Sequence, residues 1–484
     1  MYLRSALCTV SFLALTGGAF AAPATQEGAA RLTASFQTYL GKTPGVVTVT
    51  PAGETYDVRL DLAPLAALLP AEGGKIEASP LSYTLTDNGD GTWRVTEDQS
   101  FTLTIDAPNV METTYRVDRM VSDGIWDENL PGFASQTVTL TGFGAETVSY
   151  DPDGQELSRS VQHTDSMTVT STGKAGAAGG TDAAVSYTAT GLSQTVSVPT
   201  APDAPPTAMQ MQAASYEGDL KIEALKSREV LGLIGWLVAH PSKQAVTGAQ
   251  DEMRGLVTGA LPVFKTLDGT MAVNDIVLQT PIGAFTATGL TGTIGANGVV
   301  SDGRFREAIT VKGVAIPPGL APDWAAQLVP TEIGLDMTVS GFDLAAPAQL
   351  VLKSFDLNKP EPVDPSLDQQ LGQLILPKGT VNITLAPGQA AGPLYTLGYE
   401  GRMIAGPGLV PTGTARVTAQ GLDKVQEELA KAPEEVRNQA LMPLAMAMGL
   451  ARDENGTLVW EIDASTPGSL KVNGTDLMGG AAAQ

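Results

Sequence analysis

Two stretches decide how this chain is read: "YTATGLSQTVSV" at Tyr187–Val198 and "FTATGLTGTIG" at Phe285–Gly295. Both place the letters TATGL after an aromatic residue, within Thr-rich sequence that alternates polar and apolar side chains. Period-two alternation belongs to a strand with two unlike faces. A glycine inside such a run marks a bulge or a bend. The pattern of a polar residue, Gly, and Leu or Phe recurs as Thr141-Gly142-Phe143, Thr190-Gly191-Leu192, Thr288-Gly289-Leu290, Ser340-Gly341-Phe342 and Gln420-Gly421-Leu422. Its spacing is irregular, which excludes a solenoid of fixed period, and TATGL has no group that does chemistry. The expectation is five strands that bend at equivalent points, each followed by a large apolar residue that re-enters a core.

Working outward, most of the chain reads the same way. "LSYTLTDNGDGTWRVTED" (Leu81–Asp98) is a hairpin with Asp87–Gly91 as its turn, and alternating segments follow at short intervals. A leading helix places Ala30, Leu32, Phe36 and Leu40 near helical spacing and stops at Gly41. A helical pair covers Lys221–Phe264, with His240 at the end of its first member, and two more helices cover Asp423–Ala451 around Pro433. The stretch Glu332–Asn358 reads as strand throughout. The fold class predicted is α+β, mainly antiparallel β, with curved multi-stranded sheets and a few covering helices. Four prolines within Pro199–Pro206 cannot sit in a central strand. They set the expected organisation: a signal peptide over 1–21, a β-rich domain over 22–198, a Pro-rich linker over 199–214 and an α+β domain over 215–484.

The opening "MYLRSALCTVSFLALTGGAFAAPATQ" has one cation, Arg4, then an apolar run too short to cross a bilayer, which needs about 20 residues. Ala19-Phe20-Ala21 fits a cleavage site, so cleavage is expected after Ala21 and the mature chain in the periplasm. Cys8 is the only cysteine and lies in this leader. Its loss would remove disulfides, thiol nucleophiles and thiolate ligands together. The net charge of −23 opposes binding to nucleic acid. After the leader no apolar run is long enough for a transmembrane helix.

Catalytic constellations are sparse. Only His163 and His240 are available, and no histidine spacing fits a metal centre, so neither a metal nor a cofactor is expected. His240 reads as a helix C-terminal residue favoured by the dipole. No nucleophile elbow, phosphate loop or dinucleotide fingerprint occurs. "DNGDGT" (Asp87–Thr92) looks like part of a calcium loop but lacks the acidic first ligand and the closing Glu. "DGIWDENLP" (Asp123–Pro131) sets Asp123, Asp127 and Glu128 around an exposed-looking Trp126, as sugar sites do, although a loop whose Trp packs at a sheet edge is the favoured reading. Two helical segments are apolar nearly all round and must be covered. They place Leu233, Trp236 and Leu237 on one helix and Met446 and Met448 on the other as candidate contacts for an apolar ligand or partner.

The signal peptide, "GDGTWRV" (Gly89–Val95), "VSGFDLAAP" (Val339–Pro347) and the closing "LVWEIDAS" and "LKVNG" within Leu458–Gly474 resemble an alphaproteobacterial envelope family, domain of unknown function 2125. The resemblance implies a periplasmic β-rich protein and supplies no functional residues. The closing element also looks like parts of large β-groove envelope proteins implicated in lipid handling, an analogy of fold alone. The function expected is a non-catalytic exported envelope protein whose curved sheet binds an apolar, lipid-like ligand or a protein partner. The alternatives are a carbohydrate-active hydrolase at Trp126 and, third, a calcium-dependent adhesion module. Oligomeric state is left open.

Overall fold

The computed structural model describes residues 23–67, 74–199, 206–240 and 242–478. The leader with Arg4, Cys8 and the cleavage expected after Ala21 lies outside the described residues, as does most of the Pro199–Pro206 segment. Strand makes up 52% and helix 22%, so the chain is mainly antiparallel β.

In chain order the elements are α1 (Gln26–Leu40), β1 (Val47–Ala52), β2 (Thr55–Leu60), α2 (Ala63–Ala66), β3 (Lys75–Ala78), β4 (Leu81–Asp87), β5 (Thr92–Ala107), β6 (Met111–Asp127), β7 (Gly132–Tyr150), β8 (Glu156–Ala175), β9 (Thr181–Val198) and β10 (Thr207–Leu225). Then come α3 (Ser227–Ala239), α4 (Lys243–Gly248), α5 (Gln250–Ala260), β11 (Thr266–Thr280), β12 (Gly283–Asn297), β13 (Gly303–Lys312), α6 (Asp323–Ala326), β14 (Glu332–Phe342), α7 (Ala345–Ser354) and α8 (Asp368–Ile375). The chain closes with β15 (Val381–Ala391), β16 (Thr396–Ala405), β17 (Thr412–Gln420), α9 (Leu422–Leu429), α10 (Glu434–Leu450), β18 (Arg452–Glu454), β19 (Thr457–Ala464), β20 (Lys471–Val472) and β21 (Thr475–Asp476).

The chain divides into two units. One runs to Leu267 and takes back Val351–Pro365; the other holds Asp268–Leu350 and the residues from Ser366. The boundary expected at the 199–214 linker is therefore corrected. β9 and β10 are paired neighbours from Val198↔Thr207 to Thr181↔Leu225, so 207–214 is strand and the prolines connect two strands of one sheet. Prolines cannot donate to a ladder, which fits their place between the strands.

The first unit is an antiparallel meander. β1 pairs with β2, β2 with β4, and β4 with the first part of β5, while β3 pairs with the later part of β5. From β5 each strand pairs with the next through β10. The second unit repeats the plan from β12 through β17 to β19, with β18 and β20 sharing the far edge of β19.

Strands β6 to β10 are 17 to 20 residues long, against an ordinary length of about 5–6. At that length a single slip in alternation turns every following side chain to the wrong face. Two glycines sit where the alternation is reset. In β7 both Leu140 and Phe143 face one side, with Thr141 and Gly142 between them. In β9 Ala189 and Leu192 do the same around Thr190 and Gly191. The cross-strand register aligns these positions with Asp118-Arg119 in β6, Asp165-Ser166 in β8 and Ala214-Ser215 in β10. All five strands therefore reset in one row. Gly142 and Gly191 have φ of 63° and 65°, the left-handed region that glycine enters at no steric cost. A Cβ on either would overlap the carboxylate of Asp118 or Asp165.

The other three glycines behave differently. Gly341 (φ 86°) sits at a register break near the end of β14. Gly421 (φ 76°) lies beyond β17 and starts α9, so it bends no strand. Gly289 is an ordinary strand residue paired with Lys312. The second TATGL thus sits in a different frame: the left-handed residues near it are Asp275 and Gly313, the latter against the Thr288 side chain.

The best-buried core lies under α1. Thr25 caps that helix by accepting from Gly28 N at 3.0 Å, and Ala29, Leu32, Phe36 and Leu40 bury onto Tyr56, Val58, Leu85, Trp93, Val95 and Trp126. α3 lies beside α1, with Gly235 against the backbone of Thr38. Two further expectations fail: Lys221–Leu225 ends β10 and the helix starts only at Ser227, and Ala345–Ser354 is helix, not strand, because Asp343 accepts from Ala346 N at 2.9 Å and caps an Ala-rich segment with Pro347 in its first turn.

Candidate functional site

Register and alternation together sort β5–β10 into two faces. One row of the inner face runs Leu103, Tyr115, Ala145, Gln162, Gln194 and Met211; another runs Glu97, Ser122, Val138, Val169 and Tyr187. Buried residues mark this side: Trp93, Val117, Met120, Trp126, Ala189 and Ala213 all belong to it. Its polar side chains satisfy one another. Gln194 donates to Ser160 Oγ at 3.0 Å, Gln136 to Ser122 Oγ at 3.2 Å, and Tyr187 stacks on Tyr216 with ring centres 5.0 Å apart.

The outer face carries the charge. Arg94 forms a two-pronged pair with Asp123 (Nη2–Oδ2 2.7 Å), Arg119 does the same with Asp98 (2.7 Å), and Arg159 bridges Glu146 and Glu156. Threonines at 137, 139, 168, 170, 188 and 190 lie on the same face. On the inner face of β5–β10 every position is uncharged except Glu97. In a chain with a net charge of −23, this separation of charge from apolar surface is the main feature of the sheet.

Cover over the inner face is uneven. α1 closes it at the β4–β6 end. Over β7–β9, Leu140, Phe143, Val138, Met167, Val169 and Leu192 are half-buried. At the far end Val198, Met209 and Met211 are exposed. With strands about 4.8 Å apart and about 3.4 Å per residue, the face is roughly 24 Å wide and 60 Å long. Only its far end, at Val198, Met209 and Met211, is openly exposed, and contiguous exposed apolar surface is a feature of binding sites.

Glu97 is 9% exposed. It lies across from Ser122 on β6, one residue past the last β4–β5 pair, Thr84↔Thr96. Gln99 donates to it and is itself held by Ser82 N, which donates to Gln99 Oε1 at 3.0 Å. Burial pushes its carboxyl up to about 7, against the opposing effect of the Gln99 bond. Neither the row nor this residue was singled out from the sequence. The signal was present in "TWRVTEDQ", where Glu97 occupies the inward parity of Trp93 and Val95.

The residues expected to matter are dispersed. Trp236 is 7% exposed and stacks on His240 at 4.1 Å, and His240 Nδ1 meets Trp236 O at 2.8 Å. It is packing, with its indole N–H lacking a partner among the described residues. Leu233 is half-buried and Leu237 exposed on the same helix. Met446 is 65% exposed, Met442 70%, and Met448 half-buried on α10, whose Ala447 O accepts from Trp460 Nε1 at 2.7 Å. The Leu233–Leu237 and Met446–Met448 groups fall in separate units.

The acidic group is not a joint site. "DGIWDENLP" begins inside β6, so Trp126 is not an exposed loop residue: it is 3% exposed and meets Phe133 edge-on at 5.3 Å. Asp123 points outward to Arg94, which holds its carboxyl below the usual range. Asp127 accepts from Asn129 N at 2.8 Å, closing a turn. Glu128 accepts from Trp93 Nε1 at 2.7 Å, and burial raises its carboxyl. "DNGDGT" is a hairpin turn in which Asp87 accepts from Gly89 N and Asp90 from Thr92 N. Among the described residues no group of three or more His, Cys, Asp or Glu is arranged to hold a metal, and no helix is long and apolar enough to cross a membrane. No family model, curated protein or solved structure matches the chain.

Proposed function

We propose that this is an exported envelope protein that holds an apolar, lipid-like ligand on the inner face of the β5–β10 sheet, without catalysing a reaction. The observation that carries the reading is the separation of faces: one side of six long strands bears Glu97 alone among charged groups, and the opposite side bears the ion pairs. A sheet that served only as a scaffold would close its apolar side with helices along its whole length. Here α1 closes one end, and the far end leaves Met209 and Met211 exposed. The reset row at Gly142 and Gly191 supports the same reading, because it keeps the apolar set continuous and adds local twist. Each methylene buried is worth about 0.8 kcal/mol, so an acyl chain of ordinary length supplies on the order of 8–10 kcal/mol before the cost of association.

The Arg–Asp pairs of the outer face and the absence of any shared carboxylate site at Trp126 favour this over sugar hydrolysis. Localisation in the periplasm and the resemblance to the envelope family belong to the same proposal. The full chain, expressed with its leader and purified without detergent, is expected to carry chain-bearing lipid in its organic extract, detected by mass spectrometry at a substantial fraction of one per protein. A folded protein whose extract holds no more lipid than an unrelated exported protein would count against it.

A further inference from the structure

The geometry points to a ligand with a cationic head: a long-chain ammonium amphiphile whose chain lies over Val138, Leu140, Met167 and Val169 and whose head is seated against Glu97. This rests on the apolar-face reading and adds the head-group class to it. Glu97 stands where the face passes from closed to half-buried. Its row leads outward through Ser122, Val138 and Val169. The groups shown beside it are a hydroxyl and an amide: Ser122 across from it on β6, and Gln99 on its own strand.

Among the described residues no cation is paired with the carboxylate. Arg94 and Asp98 flank it in sequence but turn to the outer face, where they pair with Asp123 and Arg119. The charged residues of α1 are Glu27 and Arg31, both exposed, and the influence of Arg31 falls on Glu128. With no Lys or Arg on the inner face of β5–β10, an anionic head would find nothing to pair with there and would lose its hydration. An ammonium would find a carboxylate in a low-dielectric setting, where opposite charges attract strongly. Burial keeps that carboxyl protonated until near neutrality, so the preference strengthens as the proton leaves.

The test uses the purified full chain and three probes with the same twelve-carbon chain: dodecylamine, dodecanol and dodecanoate. At about pH 8 dodecylamine is expected to bind roughly tenfold more tightly than dodecanol, and dodecanoate more weakly than either. At about pH 5.5, with Glu97 neutral, the margin over dodecanol shrinks to about twofold or less. Glu97→Gln removes the margin at both pH values, read against the variant's own dodecanol affinity. Asp123→Asn, an outer-face control for general attraction of cations to an acidic protein, keeps the margin. Equal binding of all three probes, or a margin that survives in Glu97→Gln, overturns the head-group inference while the apolar-face reading stands. Binding of none of them overturns both.

Discussion

Glu97→Gln is expected to make the protein more stable above neutral pH and to flatten its stability between pH 4.5 and 7. The unfolded carboxyl ionises near 4.5 and the folded one near 7. Below both values each state is protonated and Glu97 adds no pH dependence. Between them the unfolded chain has released its proton while the folded one keeps it, so stability falls by about 1.4 kcal/mol per pH unit. By about pH 8 the loss is complete and amounts to roughly 3 kcal/mol. An amide of the same shape does not ionise and escapes this loss. The variant should therefore melt on the order of 3–6 °C higher than the native chain at about pH 8 and within a degree or two of it at about pH 4.5. The exposed pairs at Asp98 and Asp123 contribute at lower pH, since their carboxyls are shifted down. The difference between the two proteins isolates Glu97. A pH-independent difference in melting temperature would show that the carboxyl is not desolvated in solution.

Gly191→Ala and Gly289→Ala should give unequal results although both lie in TATGL. At Gly191 an added Cβ meets two penalties. The left-handed backbone costs a non-glycine residue about 1–2 kcal/mol, and the carbon overlaps the Asp165 carboxylate. A loss of about 2–4 kcal/mol is expected, in the range of the larger point-mutant effects. Asp165→Gly in the same chain should recover the part due to overlap. At Gly289 the nearest neighbours of an added Cβ are 3.7 Å away, Asn274 Oδ1 and Val273 O, at ordinary contact distance. With no positive φ there, alanine is expected to be neutral or to stabilise by up to about 1 kcal/mol by restricting the unfolded chain. Denaturant midpoints measure both. Equal effects would remove the reset row from the account.

Much of the fold was legible in the residues, because the governing signal is local. Alternation identified the strands around Tyr83, Trp93 and Val95, and the Asp87–Gly91 turn is a matter of adjacent side chains bonding adjacent backbone. The α1 helix declared itself through Leu32, Phe36 and Leu40. What was hidden depends on which strands lie side by side. The prolines after Val198 look like a domain linker until β10 is seen to pair back on β9. Trp126 looks exposed among acids until β6 continues through it and α1 covers it. Gly191 and Gly289 look alike in sequence, and only the register shows that one opposes Asp165 in a left-handed turn of the strand while the other opposes Lys312 in ordinary extended backbone. The candidate site was missed for the same reason. A single Glu among apolar neighbours carries no meaning in sequence, and it acquires one when six strands place all other charges on the far side.

The central claim is that the apolar side of β5–β10 holds the ligand, and Val169 and Thr168 test it most directly because they are adjacent in β8 and face opposite sides. The measurement is a titration of the folded chain with an acyl-chain fluorescent probe for Val169→Asp, Thr168→Asp and the unaltered protein. The unaltered chain and Thr168→Asp are predicted to bind the probe saturably with similar affinity, and Val169→Asp to lose at least tenfold, since a charge there must be desolvated beneath the chain. Equal binding by all three folded proteins, or a loss confined to Thr168→Asp, would contradict it.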